Sequence, residues 1–251
     1  MTADLPFGID FGGTGIKGAP VDLEKGEFAA ERERIRTPSP STPEAVAEVF
    51  VELLGRFPTS RSPVGVTVPA VVHHGVVQSA ANIDQAWVGT DADGLFTKAT
   101  GRDVHVVNDA DAAGLAEVRY GAAKGREGLV IVTTLGTGIG SALVFNGVLV
   151  PNSELGHLEI DGHDAESRAA NSAREREELS MEQWAERLTR YYRTLEMLFS
   201  PDLFVVGGGI SKQADEFLPL LQIETEIVPA TLRNQAGVVG AALCAAEELG
   251  G

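Results

Sequence analysis

Cysteine is nearly missing from this chain of 251 residues: Cys244 is the only one. A disulfide within the chain and a zinc site built from cysteines are therefore both excluded. No apolar run reaches the length of a membrane span, and the residues ahead of the first strand pattern at Phe7 form neither a basic nor an apolar leader segment. A cytoplasmic protein without a membrane partner is expected. Positive charge is also in deficit, with 20 Lys and Arg against 36 Asp and Glu and a formal net charge of −16. That balance favours solubility and argues against a nucleic-acid partner or an anionic membrane surface. Aromatic residues are sparse at 6%, yet hydrophobic residues reach 43%, enough for one large core or two small ones.

What is present is an alternation of strand and helix patterns. Phe7–Phe11, Gly18–Val21 and Glu27–Arg36 read as successive strands. Thr42-Pro43-Glu44 then starts a helix, with threonine as cap and proline in the first turn. Its apolar positions Val46, Val49, Phe50, Leu53 and Leu54 follow helical spacing up to Gly55. A buried-type strand at Val64–Val68, a short helix at Leu95–Thr100, a strand at Val104–Val107 and a helix from Ala110 to Arg119 complete the round. The order then restarts with strands at Leu129–Thr134, Ser141–Phe145 and Val148–Val150. Helical patterns follow at Ala165–Glu178 and Met181–Phe199, the second opened by a Ser180/Gln183 capping box and striped by Trp184, Leu188, Tyr191, Leu195 and Leu198. Strands at Leu203–Val206 and Thr225–Val228 and a closing helix at Gln235–Leu249 end the chain. Two rounds of this kind imply two α/β lobes with a ligand cleft between them, near the carboxyl ends of strands.

The chemistry concentrates in a few segments. Gly8-Ile9-Asp10-Phe11-Gly12-Gly13-Thr14-Gly15-Ile16-Lys17-Gly18 is a strand carrying one acid that runs into a glycine-rich turn. Glycines bring bare N–H groups close to an anion, and the strand acid could hold a metal or its water shell. Lys17 either neutralises ligand charge or is an ordinary solvated lysine. A second such turn lies at Thr134-Leu135-Gly136-Thr137-Gly138-Ile139-Gly140-Ser141, and a pair of phosphate-type turns suggests a phosphoryl donor. Asn108-Asp109 ends a strand just before a helix, where a carboxylate can serve as a general base or simply cap the helix. Glu154-Leu155-Gly156-His157 puts a carboxylate and an imidazole on one face if helical, suited to sugar hydroxyls, with a metal pair as the rival reading. Gly207-Gly208-Gly209 ends a strand and offers N–H groups to a phosphate or base, or is only a tight turn. His73, His74 and His105 read as structural or surface residues. Arg168, Arg174, Arg176, Arg187, Arg190 and Arg193 are interleaved with Glu166, Glu175, Glu177 and Glu178. Solvated faces with internal pairs are the ordinary reading, a groove for a long polyanion the other.

Taken together, these motifs resemble the ROK family of sugar kinases within the actin-like ATPase superfamily, and more narrowly its polyphosphate-using glucokinase and glucomannokinase branch. The resemblance rests on Gly8–Gly18, Asn108-Asp109-Ala110, Leu135–Ser141, Glu154–His157, Val206–Ser211 and Leu232–Gly237. It implies an α/β, two-lobed actin-like ATPase (ribonuclease H-like) fold with a sugar/phosphate cleft between lobes. The lobes would be 1–108 plus 235–251, and 109–234. The implied activity is phosphorylation of glucose, with mannose as a further acceptor, at the 6-hydroxyl, using polyphosphate, ATP or both. A strictly ATP-dependent hexokinase is the alternative. Asp109 would be the catalytic base, with Asn82, Asn108, Glu154, His157 and Glu166 on the sugar. Gly12, Gly13, Thr14, Gly15, Lys17, Gly136, Thr137, Gly138, Gly207, Gly208 and Gly209 would serve the donor, and Asp10 would hold Mg²⁺ directly or through water. Most members of the family follow the Glu-x-Gly-His motif with a cysteine cluster for zinc. The corresponding segment here, Glu159–Arg168, has no cysteine, so no zinc is expected. A homodimer through Met181–Phe199 is implied by the family. A sugar-responsive repressor is disfavoured, because its helix-turn-helix would precede a strand that here starts at Phe7. A filament-forming relative would not need the Glu154/His157 pair.

Overall fold

The computed structural model describes residues 5–57, 62–80 and 83–250. The chain divides into two compact units, Met1–Ala116 with Gln235–Gly251, and Glu117–Asn234. The first opens with β1 (Phe7–Gly12) and β2 (Gly15–Asp22), an antiparallel hairpin in which Gly12 faces Gly15. The sequence suggests one strand over Glu27–Arg36, but two short strands form, β3 (Glu27–Phe28) and β4 (Glu33–Ile35). Both pair with β2 in shifted registers, so Ala29–Arg32 is a detour between them. Helix α1 (Pro43–Gly55) starts where expected: the Thr42 side chain accepts from Ala45 N–H, and Pro43 needs no partner for its nitrogen.

Strand β5 (Val64–Val68) lies parallel to β1, followed by the small hairpin β6 (Val72–His73) and β7 (Val76–Val77), whose turn holds His74 at φ 51°. Helix α2 (Ala92–Thr100) is capped by Asp91 and ended by Gly101 in the left-handed region. Strand β8 (Val104–Asn108) completes the sheet β3-β2-β1-β5-β8 and runs directly into α3 (Asp109–Tyr120). One face of this sheet packs a core with α1 and α2 through the ring chain Phe11–Trp87–Phe96–Phe50, whose adjacent centroids lie 5.6, 5.9 and 4.5 Å apart.

The second unit repeats the plan. Its strands β9 (Leu129–Leu135) and β10 (Ile139–Phe145) form an antiparallel hairpin, with β11 (Val148–Val150) outside it. A two-stranded ribbon, β12 (Glu159–Ile160) and β13 (His163–Asp164), leads into α4 (Ala165–Ala169) and α5 (Asn171–Arg176). The helical pattern over 165–178 is broken at Ala170, whose ψ is 155°. Alanine has no local reason to stop a helix. The break aims the start of α5 at the β9–β10 turn, where Ser172 N–H donates to Gly136 O at 3.0 Å. Helix α6 (Met181–Phe199) carries the expected capping box. Trp184, Leu188, Tyr191 and Leu195 are buried, but Leu198 is 52% exposed and Tyr192 is buried in its stead.

Strand β14 (Leu203–Gly207), helix α7 (Ala214–Phe217) and strand β15 (Ile227–Pro229) finish the sheet β11-β10-β9-β14-β15, in which β9, β14 and β15 are parallel. Glu117, 1% exposed, fastens the far end of this unit: its carboxylate accepts from the N–H groups of Ala122, Thr231 and Leu232. Helix α8 (Ala236–Leu249) belongs to the first unit and lies on the second face of its sheet. It comes so close that a Cβ on Gly65 would stand 1.7 Å from the carbonyl oxygen of Ala241. Gly8 meets Val238 in the same way at 1.8 Å. Among the described residues, no helix is long and apolar enough to cross a membrane.

Candidate active site

In the first unit, the glycine-rich turn is the exposed tip of the β1–β2 hairpin, with Gly13 and Thr14 beyond the last register pair. Asp10 lies one step back on β1 and is not free. Its Oδ2 takes the Lys17 ammonium at 3.1 Å, and its Oδ1 accepts from Thr67 Oγ1 at 3.1 Å. Lys17 is thus an ion-pair partner of Asp10 rather than a solvated lysine. The fully buried Thr67 on β5 links strands, because its Oγ1 also accepts from Phe11 N–H. Two residues brace the same tip: Thr37, just past β4, donates to Gly12 O at 2.5 Å, and Arg34 on β4 donates to Thr14 O at 3.2 Å and Thr14 Oγ1 at 3.3 Å. Neither Thr67, Thr37 nor Arg34 carries a motif signal; strand pairing brings Thr67 and Arg34 there, and Thr37 follows on from β4.

Asn108 and Asp109 sit at the β8–α3 junction, and capping falls mainly to Asn108. Its Oδ1 accepts from Ala110 and Asp111 N–H at 2.9 and 3.1 Å, and its amide donates to Ala70 O at 3.1 Å. With Asn108 7% exposed, only its second amide hydrogen is left to offer. Asp109 is half-buried at the first position of α3, with Oδ1 accepting from Ala110 N–H at 2.9 Å. A carboxylate there is favoured by the helix N-terminus. Asn82 lies outside the described residues.

In the second unit, the second glycine-rich turn is again the tip of a hairpin, at 136–138 between β9 and β10. Gly136 N–H closes it onto Gly138 O at 3.0 Å, and Ser172 of α5 donates through Oγ to Thr137 O at 2.5 Å. Glu166, in the first turn of α4, accepts Ile139 N–H at 2.9 Å. It approaches so near that a Cβ on Gly138 would stand 2.3 Å from its Oε2. A side chain at 138 would push that carboxylate end aside.

The Glu154–His157 motif is a single 3-10 turn over 155–157 with Glu154 at its head. His157 Nδ1 pairs with Asp164 Oδ2 at 2.9 Å, and this hydrogen bond raises its pKa. Glu154 is exposed, yet the protein around its carboxyl raises its pKa by desolvation, and the negative charge of Glu166 adds to that. Glu154, His157, Asp164 and Glu166 are thus one electrostatic group beside the second turn. Asp164 was not singled out by motif; it doubles as the cap of α4, accepting Glu166 N–H at 3.1 Å. Ligand atoms of His157, Asp164 and Glu166 lie within 4.8 Å of one another, close enough to share an ion. The set has none of the thiolates of a cysteine zinc site.

Gly207–Gly209 ends β14 in a tight turn, with Gly208 at φ 85°. It opens a 3-10 segment, Gly209–Gln213, rather than an α-helix. Of the arginines, Arg174 bonds Asn171 and stacks over Trp184, while Arg176 and Arg187 share Glu177 at 3.1 and 2.6 Å. These two, Arg187 foremost, hold the Glu177 carboxyl down at about 2. Arg190 grips Asp161 through two bonds of 2.9 and 2.8 Å, and Arg193 donates to Gln222 O. Internal pairing is therefore the reading that the structure favours. Arg168, Arg187 and Arg190 do line a cavity of about 180 Å³ above Tyr191.

Against known proteins, the ROK family pattern matches residues 6–171. The chain is 52% identical over 238 residues to a polyphosphate glucokinase of Mycobacterium tuberculosis, an alignment covering 94% of this chain and 89% of that protein. Among solved structures, it is similar to the inorganic polyphosphate/ATP-glucomannokinase from Arthrobacter sp. strain KM, at 58% identity and a TM-score of 0.92, covering 97% of this chain and 99% of the other. A glucokinase from Streptomyces griseus, solved with glucose and AMPPNP, shares the fold at 24% identity with a TM-score of 0.82, covering 97% and 99%.

Proposed function

Because the chain belongs to the ROK family, with its two-lobed actin-like ATPase fold, we propose that it is a glucokinase using inorganic polyphosphate, ATP or both. It transfers the terminal phosphoryl group of the donor to the 6-hydroxyl of glucose. The observation that carries this reading is Glu166. One carboxylate both caps the β10 end of a phosphate-type turn and stands beside the Glu154/His157 pair, so hydroxyl recognition and phosphate recognition share one frame.

In this reading Asp109 accepts the proton of the 6-hydroxyl as its oxygen attacks phosphorus. Glu154, His157, Glu166 and Asn82 orient the sugar, and Asn108 adds its remaining amide hydrogen. Hydroxyls donate and accept, so a set of carboxylates with an imidazole and amides suits them. The tips at Gly12–Gly15 and Gly136–Gly138, with Thr14 and Thr137, supply donors to the phosphates, and Gly207–Gly209 serves the nucleotide side when ATP is the donor. Phosphoryl transfer draws most of its rate from such positioning and charge stabilisation. A Mg²⁺ ion fits this chemistry, since it binds phosphate oxygens with one or two carboxylates and retained waters. When bound, it would neutralise charge on the donor oxygens. Asp10 is the carboxylate to hold it, with Lys17 and Thr67 fixing both its oxygens.

Mannose is a second acceptor in this proposal, supported by the activity named for the Arthrobacter relative. We also place the enzyme in the cytoplasm as a homodimer. Met197 and Leu198, 74% and 52% exposed on α6, support a contact there. The test is hexose 6-phosphate formation from glucose and from mannose with Mg²⁺, run in parallel with ATP and with ATP-free long-chain polyphosphate. Product from glucose with either donor is expected. No product with either donor would overturn the assignment.

A further inference from the structure

The donor's charge has to be met along its length, and the arginines of α4 to α6 are mostly occupied by internal acids or carbonyls. A different set of cations lies in the first unit. On the β2–β4 pair, Lys17 stands opposite Arg34 and Ile16 opposite Ile35. Ile16 and Ile35 face the core of α1 and α2, so alternation turns Lys17 and Arg34 to the other face, the one Asp10 shares. Arg34 reaches the hairpin tip itself through its two bonds to Thr14. Arg36 follows two residues on, exposed and with no side-chain partner among the described residues. Glu33, the acid that precedes Arg34 on β4, is held by Arg56 at 2.8 Å. Arg34 and Arg36 therefore lead off from the phosphate turn without an acid of β4 to cancel them, past Lys17, whose charge Asp10 already takes.

We infer that this β4 strip is the track for the distal phosphates of a polyphosphate chain, with Arg34 meeting the donor near the tip and Arg36 farther along. The inference rests on the proposed use of polyphosphate. Its physical basis is that a nucleotide's charge ends after three phosphates, whereas polyphosphate continues it. A guanidinium fits phosphate through two parallel N–H bonds, and an exposed unpaired one surrenders no existing ion pair to do so. Arg36 is thus a specificity residue: it discriminates donors by length.

The test compares wild type, Arg36→Ala, Arg36→Glu and Arg34→Lys, using long-chain polyphosphate, tripolyphosphate and ATP, each over a series of salt concentrations. Arg36→Ala is expected to raise KM for the long chain about tenfold, the scale of one charged hydrogen bond. The increase should be smaller for tripolyphosphate and ATP, and Arg36→Glu should widen that gap. The salt dependence of kcat/KM for the long chain should become shallower by about one in log–log slope. Arg34→Lys keeps charge but loses the fork and should weaken all three donors. Direct titration of long-chain polyphosphate into sugar-free enzyme should show the same order of affinities. Equal changes for every donor, or an unchanged KM and slope for the long chain in both Arg36 variants, would overturn the track. Wild type turning over ATP but no polyphosphate of any length would instead bring down the donor reading, and the track with it.

Discussion

At the scale of single residues, the proposed chemistry turns on Asp109 and on the His157–Asp164 pair. Asp109→Asn keeps shape and the bond to Ala110 N–H but cannot take a proton. Turnover should fall by about 10²–10⁴-fold, the range of acid–base catalysis, while glucose affinity measured by calorimetry stays near wild type. Near-normal turnover would sink the role. His157 carries a pH signature, because Asp164 raises its pKa above 6.5. A raised folded pKa means that the pair stabilises the fold fully below the ordinary histidine range and loses that contribution as pH rises through the raised value. Half-exposed as it is, the pair contributes little to stability, and the resonance is the better probe. An NMR titration should find His157 above the usual imidazole value, and Asp164→Asn should lower it while still capping α4. The same titration midpoint in both proteins would show that Asp164 is not the cause. Motifs single out Glu154, His157 and Asp109 in the sequence. Asp164, Thr67, Ser172 and Arg34 were not legible there, because nothing local marks a residue whose partner lies on another strand or helix.

Elements were legible where their caps and periods agree. Thr42 with Pro43, and Ser180 with Gln183, start α1 and α6 as the sequence suggests. Elsewhere tertiary pairing overrode local pattern. The break at Ala170 comes from the demand of the 136–138 turn on Ser172, and the split of 27–36 from two registers on one strand. The closeness of α8 to its sheet is likewise invisible in a pattern of apolar residues, though it can be tested directly. Gly65→Ala puts a Cβ into the Ala241 carbonyl, backbone against backbone, where no side chain can yield. Overpacking of this kind costs ~3 kcal/mol or more, a fall in Tm of about 6–12 °C for a chain of this size. Thermal unfolding of that variant at the wild-type Tm would mean that α8 can lift without penalty. Gly55→Ala, where a Cβ meets nothing within 4 Å, serves as the control and should leave Tm in place.

For the molecule as a whole, the repeated order of elements was readable because each unit builds the same sheet: an antiparallel hairpin with a glycine-rich tip, then parallel strands. The near-absence of cysteine bears at the same scale on which ion the protein needs. A cysteine zinc centre would be structural, closed and present regardless of turnover, whereas Mg²⁺ arriving with a donor would be exchangeable. Purified protein should therefore carry substoichiometric zinc by elemental analysis. Dialysis against EDTA should abolish phosphorylation of glucose without lowering Tm, and Mg²⁺ should restore it in full. Asp10→Asn should raise the Mg²⁺ concentration needed for half-maximal rate, since Lys17 and Thr67 would still pack around a side chain of the same shape. Among the described residues, the competing arrangement is the His157/Asp164/Glu166 group. Were it to hold zinc structurally, EDTA would lower Tm and Mg²⁺ would fail to rescue it, and the group would then be a metal centre before it is a sugar site.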